Sequence, residues 1–148
     1  MKVSIIGKGL TSLALAKLLV NQGVEVDIFS DQKPKKNNKI QTLGISKSNV
    51  DFFNENILDI SKFLWNIEKI EIFSENLKIH KILNFENKNE NLSSIIKNSD
   101  LYNYLLSNLK KNELTKFKRK ITYNDLLEKD YDLIFNCDPH HIISKKFF

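Results

Sequence analysis

Lys2-Val3-Ser4-Ile5-Ile6-Gly7-Lys8-Gly9-Leu10-Thr11-Ser12 is the stretch around which the rest of the chain is organised. Residues 2–6 are a short apolar run, as a strand buried on both faces of a parallel sheet should be. Residues 7–12 form a turn with two glycines, and Ser12 stands where a third would be. Residues 13–22 have helical periodicity, with Leu13, Ala14, Leu18 and Val20 supplying apolar surface and Ala14 and Ala16 small enough for close approach to a sheet. Thr11 or Ser12 is expected to cap that helix, and Gly23 stands where a left-handed residue ends one. Residues 24–29 are a second apolar run.

Strand, glycine turn, helix, strand is the layout of a dinucleotide-binding βαβ unit. The chemistry follows from the helix start. Its first N–H groups have no intrahelical partner, and the helix dipole favours an anion there, so a pyrophosphate can sit against them. Gly7 allows the tight turn, and Gly9, lacking a Cβ, lets the backbone come close to phosphate. Ser12 is small, which weakens the packing position without abolishing it. Gly7, Gly9, Leu10, Thr11 and Ser12 are therefore the expected phosphate-binding residues. The pattern next asks for an acid at the end of the second strand, to hold ribose hydroxyls. That position falls on Ser30, with Asp31 one residue later. Either Asp31 reaches the ribose or Ser30 makes a weaker hydrogen bond, and Lys33 could reach a phosphate.

A chain of 148 residues can bury one core, and 41% hydrophobic with 28% charged residues suits a globular domain. The net charge of +5 rests almost wholly on Lys, with Arg119 the one arginine. No aromatic and basic residues interleave as base-stacking surfaces require, which argues against nucleic acid. Gly7, Lys8 and Gly9 interrupt the first apolar stretch, so no transmembrane span or signal sequence is expected there. Peripheral membrane contact stays open. The single Cys137 excludes an internal disulfide and fits a reducing, cytoplasmic setting.

Residues 30–39 read as a polar loop. Ser46 opens a helix over 47–54, and 58–65 reads as a second helical piece. Residues 67–74 and 77–83 alternate, so 67–85 is expected to be an antiparallel β-hairpin insertion outside the first sheet, turning at Glu75-Asn76. Asn98 or Ser99 is expected to cap a long helix over 100–111, with Leu101, Tyr104, Leu105 and Leu109 on one stripe. Residues 113–117 and 120–123 are strand candidates, 124–128 a brief helix or turn, and 131–137 an apolar strand ending at Asp138-Pro139. His140-His141 with Cys137 lacks the spacing and ligand count of a zinc site. Trp65 and the phenylalanines read as core. The expected fold class is α/β, a Rossmann-like βαβ core with a small antiparallel β insertion, in one domain over 1–148.

The succession of the glycine turn, Thr42-Leu43-Gly44-Ile45-Ser46, the hairpin, Ile95-Ile96-Lys97-Asn98-Ser99, and Asp132-Leu133-Ile134-Phe135-Asn136-Cys137-Asp138 resembles the start of the class A flavin-dependent aromatic hydroxylases, nearest the ubiquinone-biosynthesis group. The resemblance covers nearly the whole chain and is loose. It implies FAD as cofactor, with the glycine turn on its ADP part. It implies Gln41, Asn98 and Asp138 on the flavin and pyrophosphate side, and no catalytic triad, because the flavin carries the oxygen chemistry. The departures are Ser12 for glycine, Ser30 for the ribose acid, Gln41 for an arginine, Lys97 for a glutamate, and Pro139 for glycine, which removes a backbone donor. The later Gly-Asp motif and most of a substrate domain have no counterpart. Three readings follow: part of a longer or split enzyme completed by a second chain, a relic that still binds a nucleotide, or a non-catalytic interaction protein retaining the fold. An NAD(P)-binding reductase fragment is a further alternative.

Overall fold

The apolar strand Lys2–Ile6 (β1) is buried from Val3 to Ile6, and the strand beside it is buried from Val26 to Phe29, while Leu133 and Ile134 on the other side of β1 are exposed. In β1, Val3 and Ile5 join one core cluster and Ile6 joins another, the alternation a strand imposes. The computed structural model describes residues 1–30, 41–74, 80–86, 92–119 and 131–140. After β1 come the helix Leu10–Asn21 (α1) and the strand Glu25–Phe29 (β2), then Thr42–Ser46 (β3) and the helix Lys47–Asn56 (α2). Trp65–Ile67 (β4), Lys69–Phe73 (β5), Lys81–Glu86 (β6) and Ser93–Lys97 (β7) follow. The helix Asn98–Lys110 (α3) and the strands Thr115–Lys118 (β8) and Leu133–Asn136 (β9) complete the described elements.

The main sheet is parallel and runs β8-β2-β1-β9. Lys2 pairs with Glu25 and Ile6 with Phe29 along β1 and β2, while Ile6 pairs with Asn136 on the other side. The strand order therefore reverses at β1, and the glycine turn leaves from its C-terminal end, where open α/β sheets bind ligands. Leu13, Ala16 and Val20 of α1 pack with Leu101, Leu105 and Leu109 of α3, over Val3, Ile5, Val26 and Ile28. Gly23, at φ +77°, reverses the chain after α1 in the left-handed region.

Two antiparallel units stand beside this sheet. One has the order β3-β7-β4, with Leu43 opposite Ile96 and Trp65 opposite Ile95. The other is the two-stranded β5-β6 ribbon, the expected hairpin, with strands at 69–73 and 81–86. Ser46 caps α2, its hydroxyl accepting from the Asn49 N–H at 3.3 Å.

Several expectations are corrected. Helix α1 begins at Leu10, with Gly9 at its cap, so Thr11 and Ser12 lie inside the first turn and cap nothing. Helix α3 is capped at Lys97, so Asn98 and Ser99 are likewise inside it. Residues 58–65 are not a helix. They make a single 3-10 turn, Ser61–Phe63, and then enter β4, because pairing with β7 claims Trp65. Trp65 is not core. It is 57% exposed, and its ring lies 5.2 Å from Lys97 Nζ. The strand expected over 120–123, the helix or turn over 124–128, and the hairpin turn at 75–76 lie outside the described residues.

Candidate functional site

The turn after β1 is fixed from both sides. The Gly7 N–H donates to the Phe29 carbonyl at 2.8 Å, and the Cys137 N–H donates to the Ile6 carbonyl at 2.8 Å. These bonds draw the C-terminal ends of β1, β2 and β9 together. Gly7 has φ +109°, a region side chains rarely adopt. A Cβ there would lie 3.1 Å from Ser12 Oγ and 3.2 Å from both Cβ and the backbone nitrogen of Asp138. Gly7, Ser12 and Asp138 thus meet at one point.

Gly9 differs. Its backbone is extended (φ −80°, ψ 179°), open to any residue, and a Cβ there would meet nothing within 4 Å. Space stands in front of the first turn of α1. No side chain caps that turn and it contains no acidic residue, while the first intrahelical bond runs from the Leu13 N–H to the Gly9 carbonyl. The N–H groups of Leu10, Thr11 and Ser12 therefore precede the intrahelical ladder and carry the positive end of the helix dipole. Ser12 is fully buried and its hydroxyl has no oxygen or nitrogen partner among the described residues. It lies against the Cys137 thiol, whose pKa burial pushes up, with the Ser12 hydroxyl opposing. A diphosphate fits here on two counts: a helix start that no side chain caps, and open space where a Cβ on Gly9 would lie.

The other expected site residues fall into place separately. Ser30 closes β2, its N–H donating to the Lys118 carbonyl at 3.3 Å. Asp31 and Lys33 lie outside the described residues. The Asp138 N–H donates to Asn136 Oδ1 at 3.1 Å, and Asp138 Oδ1 accepts from the His140 N–H at 3.0 Å. The carboxylate so held stands beside the glycine turn. Gln41 and Asn98 are joined to one another. The Asn98 N–H donates to the Gln41 carbonyl at 2.9 Å, and their side chains meet at 3.5 Å, at the end of the β3–β7 ladder. That pair belongs to the second sheet, not to the glycine turn.

One ionic group was not anticipated. Asp27, in the middle of β2, is 2% exposed. Its Oδ2 accepts from Lys118 Nζ and Tyr131 OH, each at 2.6 Å, with Lys2 Nζ 4.0 Å away. Burial alone would raise its pKa. The hydrogen bonds from Lys118 and Tyr131, with the charges of Lys118 and Lys2, outweigh burial and hold it below the ordinary value. An aspartate inside the apolar run Glu25–Phe29 was the available signal, since a buried acid needs partners.

The fold and the glycine turn together define a Rossmann-like α/β unit whose turn lies at the switch point of its sheet. Solved structures of the same fold include PqsL of Pseudomonas aeruginosa, described as a probable FAD-dependent monooxygenase, at TM-score 0.65 and 13% identity over 80% of this chain and 32% of that one. They also include the p-nitrophenol 4-monooxygenase PnpA of Pseudomonas putida, at TM-score 0.62 and 14% identity, covering 79% of this chain and 31% of that one. A third is 2,6-dihydroxypyridine-3-hydroxylase of Arthrobacter nicotinovorans, at TM-score 0.57 and 14% identity over 78% of this chain and 28% of that one. At such identities the likeness is one of fold. The chain spans about a third of the length of these structures. No protein-family model and no curated relative matches the sequence. Among the described residues, no helix is long and apolar enough to cross a membrane, and no group of three or more His, Cys, Asp and Glu could hold a metal.

Proposed function

We propose that this chain binds FAD through its adenosine diphosphate half and forms part of a flavin-dependent aromatic hydroxylase of the ubiquinone-biosynthesis type, in the cytoplasm. In this reading residues 1–148 are one FAD-binding domain with the hairpin inserted, and further polypeptide completes the enzyme.

The observation that carries the proposal is the start of α1: no capping side chain, no acid in the first turn, and free space where a Cβ on Gly9 would be. The N–H groups of Leu10, Thr11 and Ser12 would hold the diphosphate, and Gly7 sets the turn that aims them. Ser30, with Asp31 after it, would face the ribose. Asp138 and the Gln41–Asn98 pair would flank the flavin side. The hydroxylation chemistry would come from the bound flavin. This chain's residues would bind and orient it.

A second reading, a fold-retaining protein that no longer binds the cofactor, is favoured by Pro139, which cannot donate a backbone N–H beside Asp138. Titration of the purified chain with FAD, followed by flavin absorbance and thermal shift, separates the two. Saturable binding supports the first reading, and no response to FAD, NAD or NADP supports the second.

A further inference from the structure

The residue between the two glycines is a lysine, and its side chain has a definite course. Lys8 is half-buried, and its Nζ lies 5.3 Å from the centroid of the Phe117 ring. Phe117 belongs to β8, where it pairs with Ile28 of β2. Strand β8 lies beyond β2 as seen from β1. The side chain therefore leaves the end of β1, passes β2 and comes to rest over β8. That is the side of the turn on which a dinucleotide's adenosine lies, since the residue ending β2 serves its ribose.

Lys8 has no carboxylate partner among the described residues, whereas the neighbouring cation Lys118 is committed to Asp27 at 2.6 Å. Ring contact with Phe117 holds the ammonium without neutralising it. The end of β2 meanwhile carries Ser30 in place of an acid. Lys8 thus adds a positive charge on the β8 side of the turn, next to a helix start that no side chain caps and the open space at Gly9, while the Asp138 carboxylate stands on the opposite, β9 side.

We propose that Lys8 is a positioning residue for the nucleotide. Its ammonium pairs with the adenylate-side phosphate of the diphosphate and fixes that end of the cofactor by charge. This rests on the nucleotide-binding reading above. It makes the site selective for adenosine diphosphates over adenosine, and its affinity depends on salt, because a half-exposed ion pair is screened.

The test is calorimetric titration of the chain and of Lys8→Met and Lys8→Arg with FAD, ADP, NAD+ and NADP+ at low and high salt. Methionine keeps the apolar stem over Phe117, and Lys8→Gln serves should it not fold. The expected result is a loss of about tenfold for FAD, ADP, NAD+ and NADP+ alike in Lys8→Met, near-complete retention in Lys8→Arg, and a flatter salt dependence without the charge. Unchanged FAD and ADP affinity in a folded Lys8→Met overturns the role of Lys8 alone. A loss for NADP+ that clearly exceeds that for NAD+ places the ammonium at a ribose phosphate and overturns the diphosphate assignment. A wild-type chain that binds none of the four ligands overturns the proposed function and this inference with it.

Discussion

Gly7 and Asp138 are in contact across the C-terminal ends of β1 and β9: a Cβ on Gly7 would stand 3.2 Å from both the backbone nitrogen and the Cβ of Asp138. Residues far apart in sequence thus form one wall of the turn, close enough that a side chain there would push it back. Gly7→Ala must accept both a left-handed φ and this contact. A loss of about 2–3 kcal/mol is expected in urea unfolding, with nucleotide binding lost as well.

Gly9 should behave oppositely. Its φ suits any residue and nothing lies within 4 Å of a Cβ there. Gly9→Ala should therefore change stability by about 1 kcal/mol or less, yet weaken FAD binding by roughly tenfold or more by filling the approach to the diphosphate. Equal damage to stability and binding would mean that Gly9 serves the fold.

Asp27 ties stability to pH. Its folded-state pKa lies below the ordinary carboxylate value. Its contribution is therefore fully present above the unfolded value of about 3.9 and is lost as pH falls through the folded one. Urea midpoints should drop on acidification below about pH 4, and Asp27→Asn should flatten that drop. At neutral pH, Asp27→Asn should cost roughly 2 kcal/mol, because Lys118 and Tyr131 lose a charged acceptor. The partial exposure of Lys118 limits the figure.

The β5–β6 ribbon presents Ile70, Ile72, Leu83 and Phe85 on one exposed face, with Ile72 at 43% and Leu83 at 48% exposure. The double replacement Ile72→Thr with Leu83→Thr should leave the unfolding free energy within about 0.5 kcal/mol and should raise solubility at high protein concentration. Light scattering checks the second expectation. A large fall in stability would mean that this face is covered in the folded chain.

The first βαβ unit could be read from sequence because its signals are local: a buried apolar strand, a turn needing glycine, a helical period and a C-terminal Gly23. Helix starts were misplaced because Gly9 and Lys97 stand at the cap positions without any side-chain cap bond, and Thr11, Ser12, Asn98 and Ser99 stand one to three residues inside. The stretch 58–65 carries a short apolar run that periodicity alone cannot assign, and its fate is decided by β7, some thirty residues away. The Asp27 group was missed for the same reason. The acid itself was visible, but Lys118 and Tyr131 lie 91 and 104 residues from it. At the site, Gln41 and Asn98 were named only through family resemblance, each as a flavin-side residue, and their hydrogen bonds to one another were not legible, because they lie 57 residues apart.

The most direct test of the central claim, that the glycine turn is a nucleotide site, is a flavin titration of the wild-type chain and of Gly9→Ala, read by flavin fluorescence alongside thermal unfolding. The account predicts saturable FAD binding by the wild-type chain, binding weakened about tenfold or more in Gly9→Ala, and nearly equal unfolding midpoints. Equal FAD binding by both proteins, or none by the wild-type chain, would contradict it.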